Sequence, residues 1–229
     1  MRIPIAGPAA AVGGGALAAA VYVAAYEHWR WRCLGWGATP TDVHLPGDDL
    51  LPEPDMLSTR AVTIAAPVSD VWPWLAQMGP GRGGAYTYDW IENLFGLGMH
   101  STDEILPQFQ NVAVGDHIRL GRSGPVLRLV LVEPHRTLVW RSDDGTWVWA
   151  FQLEAEGTRT RLISRNRISV PGASWARRML DRYLMEPGSL VMERKMLNGI
   201  KDRAERLTRG AHAPTSTRHP EPSAAGASG

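Results

Sequence analysis

From Asp116 to Ser169 the chain repeats apolar residues with a period of two, and from Ser174 to Leu207 it switches to the period of a helix. The first region divides into Asp116–Leu120, Val126–Val132, Thr137–Arg141, Trp147–Leu153 and Thr160–Ser169. Turns such as Glu133-Pro134-His135-Arg136 and Glu156-Gly157 separate these segments. Another alternating segment, Thr59–Ala65, precedes them and is followed by helical patterns at Val68–Met78 and Tyr88–Phe95. Pro67 suits the first turn of the former helix, and Gly79-Pro80-Gly81-Arg82-Gly83-Gly84 ends it. Ser101-Thr102-Asp103-Glu104 has the pattern of a capping box. The last helix carries a stripe of Leu190, Leu197, Ile200, Ala204 and Leu207, with Met192 and Met196 beside it and an interruption at Pro187-Gly188. An antiparallel sheet can solvate one face but must cover the other. The order therefore predicts an α+β fold in which a curved antiparallel sheet has its apolar face covered by a long carboxyl-terminal helix; if the sheet wraps that helix, a cavity forms between them.

That pattern occupies residues 58–208, a length that buries roughly 68–70% of its unfolded surface. The amino-terminal side has a different character. Ile3–Tyr26 contains no charged residue. As a helix it would reach about 36 Å, against a hydrocarbon core of roughly 30 Å. It reads as a single transmembrane anchor, with Glu27-His28-Trp29-Arg30-Trp31-Arg32 as a headgroup belt completing a unit of residues 1–32. A signal peptide, a disordered Ala/Gly arm and a helix packed on the domain are the alternatives. Arg30 and Arg32 follow the run and only Arg2 precedes it, which places the main domain in the cytoplasm; the lone Cys33 suits a reducing compartment. Residues 33–57 contain Pro40, Pro46, Gly47, Pro52 and Pro54 and read as a linker that Asp48-Asp49 keep solvated. Residues 209–229 read as a disordered tail.

Of the 229 residues, 44% are hydrophobic and 21% charged, as in a folded globular protein. A net charge of +1 supplies no basic excess to hold a nucleic-acid backbone. One cysteine excludes a disulfide framework and a cysteine-built zinc site. His100, Asp103 and His117 match no metal-ligand spacing, so neither metal nor cofactor is expected. Gly79–Gly84 with Arg82 lacks the Lys-Ser/Thr of a phosphate-binding loop and reads instead as a flexible lid over the cavity mouth.

Several segments carry a family resemblance: the opening strand with Ala66-Pro67 and Val71-Trp72, the hairpin series, Trp149-Ala150-Phe151-x-Leu153 with Thr160-Arg161-Leu162 after its turn, and the terminal helix. Over about residues 58–207 the chain resembles the SRPBCC superfamily, the START-like, polyketide cyclase/dehydrase and lipid-transport group. Gln77-Met78-Gly79 through Gly83-Gly84, Tyr88-Asp89-Trp90-Ile91-Glu92-Asn93, Met192-Glu193-Arg194 and Ala204-Glu205 further resemble a bacterial membrane-anchored subfamily. The resemblance implies a helix-grip fold and a cavity for an apolar ligand such as a lipid, isoprenoid or polyketide-like molecule. It carries no catalytic signature.

Trp147, Trp149 and Phe151 share one strand face and would either line that cavity or simply fill the core. Met185, Met192 and Met196 leave the same choice between an adaptable wall and ordinary packing. Trp90 joins the candidate ligand contacts, as does Arg165, which would meet an acidic head group or lie on the solvated face together with Arg167. Tyr86, Tyr88, Asp89 and Glu92 follow the Gly-rich segment, Asp89 and Glu92 sharing a helix face. A buried carboxyl beside tyrosine hydroxyls would serve as acid and base in a cyclase- or dehydratase-type reaction; the competing role is a cap and an ion pair to Arg165 or Arg167. Hydrophobic-ligand binding is thus the first expectation and an acid–base enzyme the second. The third is an interaction subunit whose Gly/Ala helix pairs with another membrane protein.

Overall fold

The computed structural model describes residues 8–39, 44–122 and 124–211. Six strands form one antiparallel sheet: β1 (Met56–Ile64), β2 (His117–Arg119), β3 (Val126–Glu133), β4 (Thr137–Ser142), β5 (Trp147–Glu156) and β6 (Arg159–Ile168). Their order is β1-β6-β5-β4-β3-β2, so the hairpin series winds outward from β6 and the first strand returns to close against it. Met56 lies opposite Ile168 at one end of the β1/β6 pair and Ile64 opposite Thr160 at the other. Five helices accompany the sheet: α1 (Pro8–Leu34), α2 (Val68–Ala76), α3 (Asp89–Leu94), α4 (Trp175–Leu180) and α5 (Glu186–Ala211). The result is a curved antiparallel sheet covered by a long carboxyl-terminal helix, as the change of period predicts, in the helix-grip arrangement that the resemblance implies.

The inward face of the sheet contributes Ile64, Leu127, Leu129, Trp140, Phe151, Leu153 and Leu162 to the core. Helix α5 answers with Met196, Leu197, Ile200 and Ala204, and α2 with Val71, Trp72, Trp74 and Leu75. The apolar stripe of α5 is therefore spent on the sheet, as its spacing requires. Gly199 lets α5 press on the loop after α2. A Cβ there would lie 2.5 Å from the Tyr86 carbonyl oxygen.

The long carboxyl-terminal helical pattern breaks earlier than Pro187-Gly188, at a π-helical turn over Asp181–Met185. Pro187 stands second in α5 and has no amide hydrogen to give the Tyr183 carbonyl four residues back. The Tyr22 hydroxyl of α1 donates to that carbonyl instead. Proline thus opens a backbone acceptor that another helix fills.

Helix α1 runs past Tyr26 to Leu34, and its last turns are docked on the domain. The Tyr26 hydroxyl donates to Glu186 at 2.8 Å, and Arg30 grips the same carboxylate through two contacts of 2.8 Å. Arg182 makes a second bidentate pair with Glu27. The helix packed on the domain, one of the alternatives at sequence level, thus describes residues 22–34. The anchor expected over residues 3–26 falls partly outside the described residues. Among the described residues no helix is long and apolar enough to cross a membrane.

The linker expected to be solvated over residues 33–57 differs most from its reading. Residues 44–52 lie as a strap across the outward face of the sheet, where Leu50 and Leu51 pack on Val139, Val148 and Ala150. Asp48 is buried and lies 2.5 Å from Arg165 and 3.1 Å from Arg167. The two arginines point outward from β6, and the strap covers them. Their guanidiniums need acceptors once water is excluded. Asp48 and the carbonyls of Leu51 and Pro52 supply these. Residues 212–229, most of the tail expected to be disordered, lie outside the described residues; α5 itself extends to Ala211.

Candidate functional site

A cavity of about 270 Å³ remains between the sheet and the amino-terminal half of α5. Its apolar wall is Trp147 and Trp149 from β5, Ile168 from β6, Met56 from β1, and Met192 and Met196 from α5. The two indoles are nearly parallel, with ring centroids 5.8 Å apart. Strand alternation places them on one face, and hydrogen bonds fix their planes. Trp147 Nε1 donates to Asn166 at 2.8 Å and Trp149 Nε1 donates to Ser164 at 3.0 Å. The hollow ends where the core begins. Phe151, third in the alternating series, is fully buried among core side chains, its ring 4.9 Å from that of Trp149.

The polar part of the cavity centres on Glu193, one turn before Leu197 on α5. It forms a buried ion pair with Arg60 of β1, accepts from the Ser164 hydroxyl, and accepts from Asn166 Nδ2 at 3.1 Å. Arg60 is fully buried and also bonds Ser189 and the Cys33 carbonyl, both at 3.0 Å. Burial pushes the Glu193 carboxyl above the usual carboxylate range, with the Arg60 charge and the Ser164 and Asn166 hydrogen bonds opposing it. The indoles, Ser164, Asn166, Glu193 and Arg60 form one continuous network from the cavity wall to the edge strand.

Glu92 enters from the opposite side, on α3. It is buried, lines the cavity, and carries no hydrogen bond on Oε2. Ser58 Oγ, which lines the same cavity, is also buried without a partner, and the Thr87 hydroxyl lies beside the Glu92 carboxyl. Burial raises the Glu92 pKa; Thr87 opposes this and the nearby Asp89 charge adds to it. Native Glu92 thus holds its proton more tightly than unfolded Glu92 does. Below its ordinary value of 4.5 both states are protonated and nothing is lost. As pH rises above that value the unfolded chain ionises first, and stability falls until the native carboxyl ionises too. Glu92→Gln is expected to raise the thermal midpoint by a few degrees at pH 7 and to leave it nearly unchanged at pH 4. Melting curves across that range check this, and an unchanged pH slope would contradict it.

The remaining acid–base candidates have structural duties. Tyr86 is buried, with its hydroxyl donating to the Trp74 carbonyl at 2.9 Å, and burial pushes its phenol far up. Its φ of 59° is costly for a non-glycine residue and is held by a bond of 3.0 Å from its amide to the Ser101 hydroxyl. Asp89 accepts from the Ser101 amide at 2.7 Å and its hydroxyl at 2.6 Å. It staples two loops and makes no ion pair with Arg165 or Arg167. Ser101 is therefore occupied by Asp89 and Tyr86, and the chain bends at Asp103-Glu104. Tyr88 is exposed, with Lys195 Nζ 5.8 Å from its ring centre.

Three expected ligand contacts lie elsewhere. Trp90 is 70% exposed, because six-residue α3 turns only Glu92 fully inward. Met185 belongs to the π-helical turn and faces a separate cleft of about 330 Å³ beside Arg177, Arg178 and Glu186. Met56 and Ile168 line both that cleft and the cavity. Arg165 points to the outer face, toward Asp48. The Gly-rich segment is no open lid. Gly79 and Gly84 pair through their backbones, and a Cβ on Gly84, whose φ is +77°, would sit 2.6 Å from the Ser101 Cα. Arg60, Ser58, Thr87 and Asn166 were not singled out in the sequence. An arginine inside a β-period segment, Thr59-Arg60-Ala61, was the available signal for the first. Among the described residues no cluster of histidine, cysteine or carboxylate side chains could hold a metal ion.

No family model matches the chain, and no curated protein does. Among solved structures it is similar to a polyketide-cyclase-like protein of Corynebacterium glutamicum, with a TM-score of 0.35 and 16% identity over 71% of this chain and 97% of that one. It is also similar to a Mesorhizobium loti protein, with a TM-score of 0.37 and 19% identity over 65% and 97% of the two chains. The ZhuI aromatase/cyclase of a Streptomyces species gives a TM-score of 0.39 and 18% identity over 69% and 98%.

Proposed function

We propose that the protein binds a compact apolar molecule between the Trp147/Trp149 wall and the Met192/Met196 face of α5. The observation that carries this is a cleft of about 270 Å³, walled mainly by apolar side chains, between the sheet and α5. Its indole and thioether surfaces face water when the cleft is empty, and an apolar guest that covers them gains the free energy of removing that surface from water. The volume sits just below the roughly 300–1,000 Å³ of pockets for drug-sized ligands. The guest is therefore of the order of a fused two-ring system or a short branched chain, and a long acyl chain does not fit whole. An acid–base reaction in the same cavity would run on Glu92, the one candidate of the four that lines it.

Ser58→Leu tests the binding. Ser58 is a buried lining residue on β1 with an unpartnered hydroxyl, so leucine would take up space in the hollow and remove an unsatisfied polar atom. Titration of neutral 2-naphthol into ¹⁵N-labelled protein should shift the indole N–H signals of Trp147 and Trp149. The substitution is expected to abolish those shifts without lowering the melting temperature. Equal shifts in both proteins would place the guest elsewhere.

The membrane reading rests on the charge-free run of residues 3–26 and on Trp29 and Trp31, both exposed, with the Arg32 guanidinium 4.6 and 4.9 Å from their ring centres. Indoles interleaved with arginine suit a headgroup layer. A single-pass anchor would keep the cavity beside a reservoir of apolar molecules, with the domain on the cytoplasmic side. The full chain is then expected to float with liposomes and a chain lacking residues 1–21 to stay with the soluble fraction. Recovery of both in the soluble fraction would end this reading.

A further inference from the structure

We propose that the cavity selects a protonated amine carried on a compact apolar frame, with Glu92 as its counter-ion. This rests on the ligand-binding reading above and narrows it to one charge class. The cavity wall contains two carboxylates, Glu92 and Glu193, and among the described residues that line it none is basic. The two acids differ in what surrounds them. Glu193 is compensated by the buried Arg60 guanidinium and by donors from Ser164 and Asn166. Glu92 has no basic partner, its Oε2 is unbonded, and the nearby Asp89 has the same sign. The wall therefore presents one uncompensated acid to whatever enters.

The other unsatisfied atom fits the same guest. Ser58 Oγ is a buried oxygen without a partner in that wall, and a hydroxyl oxygen accepts as readily as it donates. An ammonium group brings donors and no acceptor, which suits a wall whose uncompensated polar groups are a carboxyl and a hydroxyl. The parallel indoles of Trp147 and Trp149 add electron-rich surface, which attracts a cation and repels an anion. A ligand carboxylate would meet the reverse of each feature: like charge at Glu92, no basic side chain, and aromatic faces of the wrong polarity. Long fatty acids are thereby excluded by charge as well as by size, and aryl carboxylates by charge.

Three probes sharing one indole frame separate the possibilities: tryptamine, tryptophol and indole-3-propionate, cationic, neutral and anionic at pH 7. Calorimetric titration of the full chain should rank tryptamine above tryptophol by about tenfold and detect no binding of indole-3-propionate. Glu92→Gln should bring tryptamine down to the level of tryptophol and leave tryptophol unchanged. Tryptophol binding as tightly as tryptamine would overturn the charge assignment while leaving the cavity reading intact, as would a preference that survives Glu92→Gln. If none of the three binds to protein with a native melting transition, both fall. Should Glu92→Gln fail to fold, the wild-type ranking decides the matter alone.

Discussion

Glu193→Leu is expected to cost about 3–5 kcal/mol of stability, the usual penalty for stranding one partner of a buried ion pair. Arg60 is the partner left behind. It is fully buried, cannot lose its proton, and would retain only Ser189 and the Cys33 carbonyl as acceptors. For a domain of this size the loss lowers the melting temperature by about 10 °C. The cost belongs to the stranded charge rather than to the pair, so a second change should reverse most of it. Arg60→Met combined with Glu193→Leu replaces the pair by apolar groups of similar volume, a change that is often neutral. Chemical denaturation of the single and double variants gives both numbers. A single-variant loss below about 1 kcal/mol would mean that water reaches Arg60 and that the network is less closed than its burial indicates. The same variants report on the cavity. Glu193 holds Ser164 and Asn166, and those residues hold the two indole planes, so Glu193→Leu should weaken 2-naphthol binding even where the protein remains folded.

Periodicity made most of the architecture legible. The five alternating segments after residue 115 and the one before residue 66 became the six strands, because a half-buried sheet writes its two faces into every second residue. The α5 stripe likewise named the residues that meet the sheet. What periodicity could not convey was where the helix stands off. Trp149 and Phe151 look equivalent on one strand, yet one lines the hollow and the other is core. The same limit applies to Met192, Met196 and Met185, of which the last is carried away by the π-helical turn. Polar chemistry was least legible. Arg60 and Arg165 occur in similar β-period contexts, but strand register sends one inward to Glu193 and the other outward to Asp48. Pairings across 133 and 117 residues leave no local pattern. The proline-broken segment at residues 33–57 reads locally as a spacer, because the arginines that bind it lie so far along the chain.

Asp48→Ala provides the second large effect, on the opposite face of the sheet. Asp48 is the carboxylate between Arg165 and Arg167, and it also accepts from the Leu45 amide at 3.1 Å to close its own turn. Alanine would leave two mostly buried guanidiniums sharing the carbonyls of Leu51 and Pro52 and the Thr59 hydroxyl. Their mutual repulsion would then act in a low-dielectric setting. A loss of about 3 kcal/mol is expected, with the strap over residues 44–52 detaching first and its amides losing protection from hydrogen exchange. Asn at this position should recover part of the loss by keeping an acceptor without the charge. Because Asp48 and Glu193 lie on different faces and share no partner, their effects should add to within about 0.5 kcal/mol. The affinity of the cavity for 2-naphthol should be unchanged by Asp48→Ala, because the inward face of β6 is held by Glu193. If binding falls together with strap protection, the two faces are coupled through β6, and the cavity cannot be treated as closed by α5 alone.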